Sequence, residues 1–452
     1  MSQAVPPVLS VQPSRALVDE KFSVQVENLP PGCPVTVRSL YQSEDKDFWE
    51  AYGHYVSDHR GTVSVSEDVS LGGTYTGKEQ MGLIWSMRPA PGSREGLRLR
   101  KRDMCTPMLV TISVYRGHED FRDQTALASA LVERWHMAPG VQRIEVRERG
   151  VQGTLFVPPG PGPFPALLDL WGGGGGLQEY RAALLASRGF AALALEYLKA
   201  DDSKPNAPGD KYFETAFEII RAHPQVAPDR VGIIGLCFGT LVALSLAAEY
   251  PMIKPRCIVC LSNVHHKSRK NTVTEFPEEV PERFKTVGAM ENVLVWRDMG
   301  LAVLKMQHPK IPVGNIDCPM LLINGTDDQN WPTVEVASDI IKMMREAGKE
   351  SLVTRVDYPG AGHLIEPPFS PLFRATNFML SGTRKKGSVP IIHPTGAPQQ
   401  LLVHGFSSDV AVMMLWGGKT KPHADAQEDS WRRILSFLQL HLYGDPSPKA
   451  KL

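Results

Sequence analysis

Asp229 to Tyr250 reads DRVGIIGLCFGTLVALSLAAEY: an apolar run, a Gly-Xaa-Cys-Xaa-Gly turn, then a stretch rich in Ala and Leu. Val231 to Gly235 suits a buried parallel strand, and Phe238 to Glu249 carries apolar residues at helical spacing, so Cys237 falls on the sharp turn between them. That is the setting of a nucleophile elbow. Gly235 and Gly239 let neighbouring backbone approach, and the positive end of the following helix favours a thiolate at the apex. A free cysteine is more often a small buried hydrophobe. Here strand, turn and helix together favour attack by Cys237.

Outward from this stretch, strands alternate with helices from about Gln142, which predicts a mostly parallel sheet with helices packed on it. VQGTLFVPP, PALLDLW, FAALALEYL, PRCIVCLSNV, MLLING and LVTRVDYPGAGH read as strands. YRAALLASRG, YFETAFEIIRAHPQV, VEVASDIIKMMREAG and DSWRRILSFLQLHLYG read as helices. His265 to Asn315 breaks the alternation and is expected to cap the site. The first 140 or so residues are different: VLSVQPSRALV, KFSVQVENL, VTVRSLYQS, GTVSVSEDV and MLVTISVYR are short strands between Pro- and Gly-rich turns, a β-sandwich pattern. The expected organisation is therefore a sandwich over 1–140, an α/β-hydrolase domain over 141–445 and a tail over 446–452. The basic segment GLRLRKRDMCTP is read as a solvated strand with snorkelling Arg and Lys rather than as a binding patch.

The chain has 452 residues, with Lys plus Arg and Asp plus Glu balanced at 49 each. No basic block with interleaved aromatics recommends nucleic acid as a partner. The N-terminal MSQAVPPVLSVQPSR lacks a signal-peptide apolar core, and no run is long enough for a membrane span, so a soluble, unsecreted protein is expected. Six scattered cysteines (33, 105, 237, 257, 260 and 318) suit a reducing compartment. Cys257 and Cys260 form a CxxC inside an apolar strand and are assigned to the core; no metal site is expected.

Two further motifs complete an acyl-transfer site. MLLINGTDDQNW puts Asp327 and Asp328 just after a strand, where an acid can hold an imidazole in its useful tautomer, although one of the two could serve as a helix cap. DYPGAGHLIEPP puts His363 on the loop after the next strand. Nucleophile, acid, histidine is the chain order of α/β-hydrolases. An oxyanion hole would combine the amide of Phe238 with one from WGGGGG, with Gly172 and Gly173 as candidates. The glycine run matches neither GxGxxG with a downstream acid nor a GK[ST] ending, so no nucleotide cofactor is expected.

RDMCTP, QGTLFVPPGPGPFP, GGGLQEYRAALLASRGFAALAL, GLCFG, DDQNW, YPGAGHLIEPP and WGGKTKPHADAQEDSW occur in this order along nearly the whole chain. Together they resemble the acyl-CoA thioesterase and bile acid-CoA:amino acid N-acyltransferase family. The resemblance implies Cys237 as nucleophile, Asp328 as acid and His363 as base, with the spacing to His363 leaving Asp327 in contention. TRKKGSVPIIHPTGAPQQLLVHGFSSDV is longer than in relatives and is expected to be a surface loop. The resemblance also implies an acyl-CoA substrate, with coenzyme A as part of the substrate and no separate cofactor, and an amino acid of the glycine or taurine type as acceptor. Cysteine favours an amine acceptor, because an acyl-enzyme thioester reacts with amines far better than an oxygen ester does. Hydrolysis of fatty acyl-CoA is the competing reading. A dienelactone-type cysteine hydrolase would leave the β-rich front unexplained, and an inert scaffold would leave Cys237 no more reactive than the other cysteines. Finally, Ala450, Lys451 and Leu452 form a small-basic-leucine triplet, a variant of the Ser-Lys-Leu address read by the peroxisomal import receptor. The expected location is the peroxisome, with the cytoplasm as a second possibility.

Overall fold

The computed structural model describes residues 5–173, 176–197, 210–266, 284–287, 290–305, 309–380 and 410–444. Gly174, Gly175, the segment 381–409 and the triplet Ala450, Lys451 and Leu452 lie outside the described residues. The front of the chain forms a three-stranded sheet (Val8–Gln12, Ser23–Glu27 and Val63–Ser64) facing a six-stranded one. The longest strands of the latter are Pro34–Gln42, Phe48–Val56, Met108–Arg116 and Ala128–Trp135. Alternation of burial along Ser23–Glu27 (exposed, buried, exposed, buried, exposed) shows why: every second side chain enters the space between the sheets. Val24, Val26, Val35, Val37, Ile112 and Val132 fill that space.

The second sheet has eight strands, numbered here in chain order: β1 Gln142–Glu148, β2 Val151–Val157, β3 Phe164–Leu170, β4 Ala191–Leu195, β5 Val226–Leu236, β6 Ile258–Leu261, β7 Met320–Gly325 and β8 Val353–Tyr358. Their spatial order is β1-β2-β4-β3-β5-β6-β7-β8. β1 pairs antiparallel with β2 and β2 antiparallel with β4, while the pairings from β4 to β8 are parallel. This is the α/β-hydrolase sheet. Its inner strands read as unbroken apolar runs because both faces are covered: β4 and β6 are buried at every position. Cys257 and Cys260 are fully buried there, and burial pushes both thiols well above the ordinary value. Helix α1 (Tyr180–Ser187) follows β3, α2 (Asp210–Ala222) precedes β5, α3 (Phe238–Glu249) follows it, α4 (Thr333–Glu346) follows β7, and α5 (Thr420–Leu438) closes the domain. No helix among the described residues is long and apolar enough to cross a membrane.

Two expectations need correction and a third needs extension. Ala128–Trp135, absent from the strands expected of the front, is a full strand of the front sheet, paired antiparallel with Met108–Arg116. GLRLRKRDMCTP is not a strand and is solvated only in part: its backbone is irregular, and Arg102 is exposed while the Lys101 side chain is only 6% exposed. His265 to Asn315, expected to cap the site, is not built from its own residues alone. Its strands Phe284–Val287 and Met290–Leu294 join Val410–Leu415 and Ala375–Leu380 in a separate four-stranded sheet. A partner more than a hundred residues away in the chain leaves no local trace.

The front and back of the molecule are tied by specific contacts. Asp19 accepts two hydrogen bonds from Arg188, at 2.9 and 2.6 Å, and one from the Trp431 indole at 2.9 Å. Phe369 and Phe373, from the loop beyond His363, are buried in the core of the front sandwich, and Phe373 meets Trp49 edge-on at 5.7 Å.

Candidate active site

At the end of β5 the chain turns at Cys237 with φ +53° and ψ −115°, a conformation that costs free energy for any residue with a Cβ and persists only where surrounding structure enforces it. Both flanking glycines supply the room. A Cβ on Gly235 would stand 2.4 Å from the carbonyl oxygen of Gly239, and one on Gly239 would stand 2.3 Å from that of Leu170. These neighbours are backbone and cannot swing aside. Gly239→Ala is therefore expected to destabilise the fold by about 1–3 kcal/mol through overpacking, read as a lowered urea midpoint with an unchanged m-value.

The strain is held in place by hydrogen bonds on either side of the thiol. The Cys237 amide donates to Leu261 O at 2.9 Å, and its carbonyl accepts from the Thr240 amide at 2.8 Å and the Thr240 hydroxyl at 2.7 Å. Phe238, the first residue of α3, has an amide outside the helix's own ladder, so it is free in principle to face an oxyanion. The glycine loop after β3 lies against the elbow: a Cβ on Gly172 would be 3.5 Å from the Cys237 Cβ, and one on Gly173 would be 4.0 Å from the Phe238 Cβ. The Tyr197 hydroxyl donates to Trp171 O, and its carbonyl accepts from the Gly176 amide at 2.9 Å, which pins the loop at both ends.

His363 is 1% exposed and Asp328 fully buried; Nδ1 of the imidazole sits 2.7 Å from Asp328 Oδ2. That bond leaves Nε2 for the thiol. Nε2 is buried without a well-formed hydrogen bond, yet the Cys237 sulfur is close enough to affect the ring's proton affinity. Burial alone would disfavour a charged imidazole. The Asp328 carboxylate, and after it the Cys237 sulfur, outweigh burial and push His363 up to about 10. His363 Nε2 is thus the ring nitrogen left for the Cys237 sulfur, and apo sites commonly hold such contacts looser than reacting ones.

The two adjacent aspartates have separate environments. Asp328 Oδ1 accepts from the amides of Asn330 and Trp331, each at 2.9 Å, while Oδ2 accepts from the Thr333 hydroxyl at 3.2 Å as well as meeting His363. Asp327 points away. It accepts from Arg374 Nη1 at 3.0 Å, the Gly418 amide at 2.9 Å and Gln329 Nε2 at 2.8 Å. Neither caps α4 as expected; Pro332 occupies its N-cap.

Sequence reasoning missed the residues that hold the His363 loop. Trp416 stacks on the imidazole with ring centroids 5.8 Å apart, and its carbonyl accepts from the His363 amide at 2.9 Å. His423 Nδ1 accepts from the Gly362 amide at 3.0 Å and its Nε2 meets Leu364 O at 2.9 Å. One ring does both jobs only when neutral, and burial keeps it so by pulling His423 down to about 4. The Ser262 hydroxyl donates to His363 O at 2.5 Å. The one available signal was the motif WGGKTKPHADAQEDSW itself, which contains both Trp416 and His423. Among the described residues no cluster of His, Cys, Asp and Glu could hold a metal ion.

Residues 19–148 match the model of the acyl-CoA thioester hydrolase/BAAT N-terminal region, and residues 211–387 and 391–444 match that of the BAAT/acyl-CoA thioester hydrolase C terminal. The chain is 36% identical over 449 residues to bile acid-CoA:amino acid N-acyltransferase of Mus musculus, covering 97% of this chain and 99% of the relative. It is 36% identical over 445 residues to the mitochondrial acyl-coenzyme A thioesterase 2 of Mus musculus, covering 96% and 89%. To the peroxisomal succinyl-coenzyme A thioesterase of Mus musculus it is 35% identical over 447 residues, covering 96% of each. Matched by both halves of the family model and alike over its whole length to thioesterases and an acyltransferase, the chain belongs to the acyl-CoA thioester hydrolase/bile acid-CoA:amino acid N-acyltransferase family.

Proposed function

We propose that the protein transfers an acyl group from coenzyme A, through an acyl-enzyme on Cys237, to the amine of an amino acid. The observation that carries this reading is the cysteine itself, held on the strained elbow beside a buried His363 that Asp328 orients. The Cys237 thiolate attacks the thioester carbonyl, and the amides of Phe238 and of Gly172 or Gly173 meet the oxyanion. The tetrahedral intermediate collapses by breaking the bond to the coenzyme A sulfur, which takes the His363 proton and leaves as the thiol. Neutral His363 then accepts a proton from the incoming amine as it attacks the acyl-enzyme, and Cys237 is released. Exchange of one thioester for another is nearly neutral in free energy, and the remaining thioester is reactive toward nitrogen. Bile acid and fatty acyl groups are the proposed donors, glycine or taurine the proposed acceptor.

Relatives of both types at equal identity make hydrolysis the second reading, with water as acceptor. Incubation with an acyl-CoA panel, with and without glycine or taurine, separates the two by mass spectrometry of the products. The amide should dominate at millimolar acceptor; free acid alone at every acceptor concentration would mean a thioesterase. We further propose a peroxisomal location, supported by Ala450, Lys451 and Leu452 and by the stated location of one relative, while another is stated to be mitochondrial. A fluorescent protein ending in the last ten or so residues should enter peroxisomes. Import of the full chain after deletion of Leu452 would reject the address.

A further inference from the structure

None of Cys237, Asp328 and His363 lines the cavity of about 80 Å³ that lies between the sandwich and the hydrolase domain. One wall is the segment Arg98 to Lys101, another is Glu366 to Pro371, and Arg134 and His136 close it from the end of the front sheet. Its charge is unbalanced. Arg98, Arg100, Lys101 and Arg134 face it, and among the described lining residues Glu366 is the one carboxylate. That carboxylate is already engaged by Arg98 Nη2 and, at 3.0 Å, by the Tyr180 hydroxyl. Lys101 is met from outside by Glu44 at 2.5 Å.

Several polar atoms that line this space have no partner. Arg98 Nε, Arg134 Nη1 and His136 Nδ1 are buried without a hydrogen bond among the described residues. Arg100 makes no hydrogen bond or ion pair with any of them; burial, and next the charge of Arg98, pull its guanidinium down to about 10, and the nearby Glu366 carboxylate offsets this only in part. Buried cations without counter-charge are costly unless a ligand supplies it. Glu366 pairs with Arg98, Glu44 with Lys101, and Asp19 and Glu20 act on Arg134, so the cation in excess is Arg100, which water in a space of this size could solvate but not neutralise. The rest of the wall is apolar and includes Met108, Val110 and Pro371. A forked guanidinium pair beside a hydrocarbon wall suits a carboxylate on an apolar chain, and the volume is too small for a nucleotide.

We propose that this cavity between the domains binds a small carboxylate carried on a short apolar chain, its oxygens held by Arg98 and Arg100 and its chain against Met108 and Val110. The test uses the full chain and titrates acetate, butyrate and hexanoate at constant ionic strength by calorimetry, with hexanol and coenzyme A as comparison arms. Saturable binding that tightens from acetate to butyrate, is absent for hexanol and weakens at least tenfold in Arg100→Met is the expected result. Arg100→Met removes no bonded partner. Should it not fold, Met108→Trp, which narrows the apolar end, must weaken hexanoate more than acetate. Equal affinity in wild type and variant, no saturation, or coenzyme A binding that Arg100→Met weakens while no carboxylate binds would overturn the assignment. Binding rather than turnover is the readout, which keeps the result separate from the acyl-transfer reading.

Discussion

Cys237→Ala is expected to form no acyl-enzyme and to lose both transfer and hydrolysis, a drop on the order of 10⁴-fold or more, as for removal of the nucleophile from a comparable triad. Intact-protein mass after mixing with acyl-CoA gives the first readout and product formation the second. The alanine keeps a Cβ at the strained φ of +53°, so the elbow remains and the loss reports chemistry rather than unfolding. Cys237→Ser makes the sharper comparison. Its acyl-enzyme is an oxygen ester, a much poorer donor to amines, so hydrolysis should persist in part while conjugation falls steeply. A serine variant that conjugates as well as the wild type would remove the reason for assigning an amine acceptor to a cysteine enzyme.

Asp328→Asn is expected to cost about 10³–10⁴-fold in kcat, because an amide beside Nδ1 no longer stabilises the imidazolium and permits the wrong tautomer. Asp327→Asn should stay within a few-fold. Its ion pair with Arg374 is partly exposed on both sides, a class of contact worth about 0–1 kcal/mol. The reverse ranking would transfer the acid's role to Asp327. Asp328 also imposes a pH signature. His363 is raised in the folded protein to about 10 from an unfolded value near 6.5. The protonated ring therefore stabilises the fold in full below about pH 6.5, and that contribution disappears as pH rises through about 10. Denaturant titrations should show stability declining over this window in the wild type, and a smaller decline in Asp328→Asn, which lacks the main charge that raises the ring.

Residues near one another in sequence decided much of this protein. Gly-Xaa-Cys-Xaa-Gly between an apolar run and an Ala- and Leu-rich helix is a local instruction: two missing Cβ atoms admit the backbone of Leu170 and Gly239, and the turn between them must carry the thiol. Strand periodicity likewise separated the half-buried strands of the front from the fully buried ones of the hydrolase sheet, because each pattern records how many faces are covered. The resemblance pointed to Asp328 and left Asp327 in contention; tertiary structure decided which of the two meets His363, 35 residues further on, since neighbouring side chains leave the backbone in different directions and packing selects the one that reaches. It alone joined Met290–Leu294 to Val410–Leu415 in one sheet and brought Trp416 and His423 around the histidine loop. It also turned a basic run that reads as a solvated strand into the wall of a cavity, because charge in a sequence carries no record of whether an opposite charge or water lies across from it in the fold.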